Sequence, residues 1–151
     1  MMDESLRELY QDVILDHSRH PRRFGPLAGA THVGEGYNPL CGDRVKIYLV
    51  LDDARRIADI RFEGKGCAIS QASASLMADM VVGRSLDEAE TLMGGFLHLV
   101  KGEDTELEGD DRERLEVMAG VSAFPMRVKC ATLAWHAMKS ALEGGGAAKR
   151  E

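Results

Sequence analysis

At 151 residues the chain is long enough to bury a real core as one domain, and 44 % hydrophobic with 29 % charged residues is the balance of a folded globular protein. A formal net charge of −6 argues against a general nucleic-acid binder, whose phosphate contacts need a basic face. No apolar run approaches the roughly 18 residues of a membrane span, and the acidic start Met1-Met2-Asp3-Glu4 lacks the basic-then-apolar order of a signal peptide, so no membrane partner is expected.

Leu6, Leu9, Tyr10, Val13, Ile14 and His17 recur at spacings of three and four and predict an amphipathic helix over about 3–18. Pro21-Arg22-Arg23-Phe24-Gly25-Pro26 breaks the chain into a loop. Residues 30–37 are a candidate first strand, weakened by Gly34 and Gly36. In 44–51, Val45, Ile47, Leu49 and Leu51 alternate with polar neighbours, the pattern of a half-buried strand. After a turn at Asp52-Asp53-Ala54-Arg55, Ala58, Ile60 and Phe62 alternate in the same way and predict its hairpin partner. Beyond Cys67 the period becomes helical: Ile69, Ala72, Ser73, Leu76, Met77 and Met80 mark a helix to about Val82, closed by Gly83. Ser85-Leu86-Asp87-Glu88 has the form of a capping box and opens another helix. Residues 101–111 are polar and acidic and predict an exposed loop, then a short helix over about 111–119 stopping at Gly120. Val128, Ala131, Trp135, Met138 and Leu142 form the stripe of a last helix, ended by Gly144-Gly145-Gly146. The expectation is a single α+β domain over 1–151, a small antiparallel sheet of about three strands with helices packed on one face, and a flexible tail over 143–151.

The three cysteines all fall at predicted breaks between elements. Cys41 and Asp43 stand two apart around Gly42, Cys67 ends Gly64-Lys65-Gly66-Cys67, and Cys130 ends Arg127-Val128-Lys129-Cys130. Three thiolates and a carboxylate suit Zn²⁺ or a small iron–sulfur cluster. A hairpin brings the loop before its first strand close to the end of its second, so Cys41, Asp43 and Cys67 can share one end of the sheet. Cys67 at a helix start, and Cys130 in or near the first turn of the last helix, would both gain from free amide donors that favour thiolate. Arg127 and Lys129 are candidates to offset the negative charge of such a centre. An odd cysteine count fits a reducing, cytoplasmic setting in which thiols bind metal or react. Three buried core cysteines would account for the same residues without a metal. The five histidines have no companion motif for Cys/His hydrolysis, and Gly64 and Gly66 lack the lysine–hydroxyl pair of a phosphate loop.

In combination, Asn38-Pro39-Leu40-Cys41-Gly42-Asp43, Gly64-Lys65-Gly66-Cys67-Ala68-Ile69-Ser70-Gln71-Ala72-Ser73 and Arg127-Val128-Lys129-Cys130-Ala131-Thr132-Leu133-Ala134-Trp135 resemble the iron–sulfur assembly scaffolds of the IscU/NifU N-terminal type, over about residues 5–142. Ile14-Leu15-Asp16-His17, followed by Pro21-Arg22, resembles that family's first helix and loop. Lys129 where the scaffold type has histidine, Phe124-Pro125-Met126-Arg127 where that type carries its chaperone-binding segment, and an insertion around 102–123 are similar to the SufU branch. Ser18 and Arg23 depart from the family's common residues without touching the cysteines. The resemblance implies zinc-dependent sulfur transfer, with Cys41, Asp43, Cys67 and Cys130 as zinc ligands. Cys41 would accept persulfide sulfur from a partner cysteine desulfurase that uses pyridoxal phosphate, freed when a partner histidine replaces it on zinc. The sulfur would then pass to a downstream iron–sulfur scaffold or apo-acceptor. It leaves open a scaffold that builds a [2Fe–2S] cluster on the same ligands. A structural zinc module in an adaptor protein would need the same donors but leave their thiols inert.

Overall fold

The computed structural model describes residues 12–40, 42–143 and 146–149. The elements, in chain order, are α1 (Asp12–Arg19), β1 (His32–Asn38), β2 (Asp43–Leu51), β3 (Ile57–Lys65), α2 (Ala68–Val81), α3 (Leu86–Val100), α4 (Gly109–Leu115), a 3₁₀ segment (Glu116–Ala123), α5 (Pro125–Leu142) and β4 (Gly146–Lys149). β1, β2 and β3 form an antiparallel meander, and the sheet order is β3-β2-β1-β4. The first part of the predicted opening helix lies outside the described residues. Within α1, Ile14 and His17 are buried, whereas Val13, expected on the same face, is 41 % exposed.

The alternation in β2 buries Asp43, Val45, Ile47 and Leu49 on one face. In β3 the expected alternation fails at Ala58, which is exposed. The register slips there: Val50 faces Asp59 but Leu51 faces Ile57, so Ala58 is the extra residue of a bulge and Ile57 takes its place in the core. The two glycines that weaken β1 as a strand have a packing role. A Cβ on Gly34 would lie 2.8 Å from the Ala141 backbone nitrogen, and one on Gly36 would lie 3.0 Å from Leu133 Cδ1. Both therefore let α5 settle directly on the strand backbone.

α5 packs on β1 and β2, α2 on β3, and α2 lies between α1 and α5. α2 is buried nearly all round, with Ser70, Ala74, Ser75 and Ala78 enclosed in addition to the predicted stripe. Its alanines and serines keep it thin enough for that. Trp135 stacks on Phe96 with ring centroids 4.6 Å apart, and its Nε1 donates to Ser73 Oγ at 3.0 Å. The Ser73 hydroxyl in turn donates to the Ala131 carbonyl at 2.5 Å, so the indole proton is satisfied at the centre of the core. The Ser85/Glu88 capping box is present, with both reciprocal hydrogen bonds formed.

The segment expected as an insertion, around 102–123, is more ordered than a polar loop. Leu107 is buried against Gly95, α4 starts at Gly109, and the 3₁₀ segment runs through Gly120, the expected stop, to Ala123. Arg84–Asp111 and Arg114–Asp79 ion pairs, each 2.6 Å, fasten it to the end of α2. Within the stretch expected as a flexible tail, residues 146–149 form β4, whose backbone pairs in parallel with the edge of β1. An edge strand offers unpaired amides and carbonyls, and a nearby segment can fill them.

His17 joins α1 to α2 through Nδ1 and Ser75 Oγ, 2.7 Å apart, and the Ser75 hydroxyl also accepts from the Arg22 amide at 2.8 Å. Burial lowers the His17 pKa from its usual 6.5, with Arg22 and Arg114 acting in the same sense and Asp16 and Asp79 opposing. The unfolded chain therefore binds a proton that the folded one resists. The stabilisation is complete above the ordinary imidazole pKa and is lost as pH falls below it. Urea midpoints are expected to drop between about pH 7.5 and about pH 5.5, and His17→Gln should flatten that part of the profile. An unchanged pH slope in His17→Gln would mean that other groups cause it.

Candidate metal centre

One end of the sheet collects the candidate ligands. Asp43 is the first residue of β2 and is only 3 % exposed. The preceding Gly42 has φ +77, a left-handed conformation that lets the chain turn sharply into the strand. β3 ends beside it, and Gly66 passes so close that a Cβ there would lie 2.8 Å from Asp43 Oδ1. Cys67 then serves as the N-cap residue of α2. Its amide donates to Asp43 Oδ1 at 3.2 Å, and its Sγ lies 4.0 Å from Asp43 Oδ2. Cys130 arrives from α5 and is 1 % exposed. One ligand atom each from Asp43, Cys67 and Cys130 can be chosen so that all three lie within 4.8 Å of one another.

A tetrahedral ion with zinc–ligand bonds of about 2.0–2.3 Å needs ligand–ligand edges of about 3.5–3.8 Å. The Cys67–Asp43 separation of 4.0 Å is within a few tenths of that, so these donors fit zinc with a small contraction. They equally fit iron, for which cysteine is the common ligand. The fourth expected donor, Cys41, lies outside the described residues. Its neighbours Leu40 and Gly42 are both exposed. No histidine belongs to the cluster among the described residues.

The two described sulfurs are electrostatically unequal. The Cys67 thiol is lowered to about 6, first by its hydrogen bond with Cys130, then by the Ser70 amide at the start of α2 and, last, by the Arg127 cation, against the opposing effects of burial and Asp43. The Cys130 thiol is pushed up, first by bonding to Cys67, then by burial and by Asp43. Of the two, Cys67 is the readier thiolate, and Cys130 would have to give up its proton to ligate a metal.

Helix-start assistance, expected for both, reaches only Cys67. Pro125 stands at the first position of α5, which puts Cys130 in the second turn, where its amide already belongs to the helix ladder. Arg127 is half-buried and within electrostatic reach of Cys67. Lys129 is half-buried on the turn that carries Cys130, its carbonyl accepting from Thr132 Oγ1 at 3.4 Å. Two contributors were not anticipated from sequence: Gly66, whose missing side chain makes room for Asp43, and Asn38, which faces Asp43 across β1 and β2. Asn38 stands in the motif that carries the family resemblance, where the sequence assigns it no role of its own.

The NifU-like N-terminal domain family model matches residues 9–144. The chain belongs to this family. Relatives within it carry two different descriptions. The chain is 42 % identical over 138 residues to the "iron-sulfur cluster assembly scaffold protein IscU" of Streptococcus pyogenes serotype M1, covering 91 % of this chain and 85 % of that protein. It is 39 % identical over 144 residues to the "zinc-dependent sulfurtransferase SufU" of Bacillus subtilis strain 168, covering 94 % and 96 %. A crystal structure described as a putative iron–sulfur cluster assembly scaffold protein for the SUF system, from Fervidobacterium islandicum AW-1, superposes with a TM-score of 0.81 at 35 % identity, over 89 % of this chain and 96 % of that one. The three-stranded antiparallel sheet with helices on one face is this family's fold, and the family's business is iron–sulfur cluster assembly. No helix among the described residues is long and apolar enough to cross a membrane.

Proposed function

We propose that this NifU-like domain is a sulfur carrier that takes persulfide sulfur onto Cys41 from a pyridoxal-phosphate-dependent cysteine desulfurase and passes it to an iron–sulfur scaffold or apo-acceptor. The convergence of Asp43, Cys67 and Cys130 beside the turn that bears Cys41 carries this reading. Those three and Cys41 would hold Zn²⁺, which supplies charge that keeps sulfur in the thiolate form and guards it from oxidation. In the transfer, the Cys41 thiolate attacks the outer sulfur of the donor persulfide. A new sulfur–sulfur bond forms at Cys41, the donor's own sulfur–sulfur bond breaks, and the desulfurase cysteine leaves as thiolate. No external oxidant or reductant is needed.

Arg127 supports the anionic state of the centre, and Lys129, where the scaffold type carries histidine, is proposed to act with it. A groove of about 880 Å³ on the outer face of the sheet, lined by Phe24, Tyr37, Gly42, Arg44 and Lys65 among others, reaches this end of the molecule and gives a docking partner access from the open side. Free Cys67 and Cys130 suit a cytoplasmic setting.

Mixed with such a desulfurase and free cysteine, the protein is expected to gain the mass of one sulfur atom at Cys41 and to carry about one zinc per chain. The second reading, a scaffold for a [2Fe–2S] cluster, is favoured by the 42 % identical relative described as one. A brown protein that delivers an intact cluster to an apo-acceptor, with no sulfur added at Cys41, would select it.

A further inference from the structure

Asn38 is fully buried, yet its Nδ2 has no hydrogen-bond partner among the described residues. Buried amide donors are seldom left without an acceptor, because water must be stripped from them with no return. The assignment of the two side-chain heads is fixed by the surroundings. Asn38 Oδ1 accepts from the Leu40 amide at 3.0 Å. Flipping the group would set its NH₂ against that N–H donor. The Asn38 backbone carbonyl accepts from the Gly42 amide at 2.8 Å. Both oxygens are thus committed to the turn that contains Cys41, and the NH₂ is what remains.

Its location says what it waits for. Asn38 is the register partner of Asp43, so the two side chains share the core face of the sheet. On that face β1 runs beneath α5: Gly34 meets Ala137 and Ala141, and Gly36 meets Leu133. The helix residues met fall from Ala141 and Ala137 at Gly34 to Leu133 at Gly36, so continuing that course two residues further aims Asn38 toward the start of α5, the end that carries Cys130. The acceptors gathered at that end are the Asp43 carboxylate and the ligand sulfurs. Asp43 Oδ1 already takes the Cys67 amide. A thiol sulfur accepts only weakly, whereas a metal-held thiolate sulfur is a charged and stronger acceptor.

We infer that Asn38 is a positioning residue of the metal centre: its oxygens brace the Cys41 turn, and its Nδ2–H donates to a ligand sulfur once the centre is loaded. This inference rests on the metal reading above. Such an N–H···S bond spreads charge from the sulfur and fixes its direction, as outer hydrogen bonds do at metal sites generally.

The test uses the whole protein loaded with ¹¹³Cd in place of zinc and labelled with ¹⁵N. A scalar coupling between an Asn38 side-chain Hδ2 and the cadmium nucleus is expected. Cadmium bound by thiolates with no such coupling would overturn the inference alone. A protein that takes up no cadmium would overturn the metal reading and the inference together. Asn38→Ser provides a second measurement, since a serine hydroxyl can still accept from the Leu40 amide while its single O–H ends one bond short of the Nδ2 position. Release of the metal to a chelator is expected to be about tenfold faster than in wild type. Release at the wild-type rate would also overturn the donor role.

Discussion

Chelating the metal from this protein is expected to lower its melting temperature by about 10 °C. The candidate ligands come from the first residue of β2, the N-cap of α2 and the second turn of α5, three elements that no covalent bond joins at this end. An ion held at a concentration about a thousandfold above its dissociation constant adds roughly 4 kcal/mol to the folded state, and each kcal/mol moves the midpoint of a domain this size by about 2–4 °C. Without the ion, a carboxylate that is 3 % exposed is left beside the Cys67 thiolate with its cation gone. Asp43→Asn keeps the shape, keeps an oxygen for the Cys67 amide and removes the charge. The metal-free variant should therefore melt above metal-free wild type, and zinc should raise its midpoint by less. A wild-type midpoint that does not move after confirmed metal loss would show that packing alone holds α5 to the sheet.

Much of this was written locally in the chain. The alternation of β2, the capping box at Ser85 and the glycine turn before Asp43 are short-range signals, and each acts where it is read. Cys41, Asp43 and Cys67 were recognisable as candidate ligands because they stand at such breaks in the sequence, next to Gly42 and Gly66. What local chemistry does not carry is the third dimension. Gly34 and Gly36 looked like flaws in a strand until α5 was seen lying on them, and that contact delivers Cys130 to the other two ligands. Ala58 broke the alternation because a bulge is a relation between two strands. The start of α5 was legible and underused: Pro125 suits the first helical position, and reading it so would have put Cys130 in the second turn. Asn38 shows the same limit from the other side. Its turn role follows from its neighbours in sequence, whereas its spare donor is visible only with the sheet and helix in place.

Cys41→Ala is expected to reduce sulfur acceptance to the background of the desulfurase alone while leaving the folded protein within about 1 kcal/mol of wild type. The contrast with Cys130→Ala is the informative comparison. Cys41 is flanked by Leu40, 61 % exposed, and by exposed Gly42, whereas Cys130 is 1 % exposed within the core cluster. Truncating Cys130 removes a buried candidate ligand and leaves a cavity beneath α5, so it should cost the metal and, beyond the loss that chelation causes, about 1–3 kcal/mol of packing. Truncating Cys41 leaves Asp43, Cys67 and Cys130 in place, and three protein ligands can still hold zinc with water completing the set. Metal content, denaturant midpoint and persulfide mass, measured on both variants, separate the two roles. If Cys41→Ala still accepted sulfur from the desulfurase, the acceptor would have to be Cys67, the one described cysteine with a thiol lowered toward neutrality.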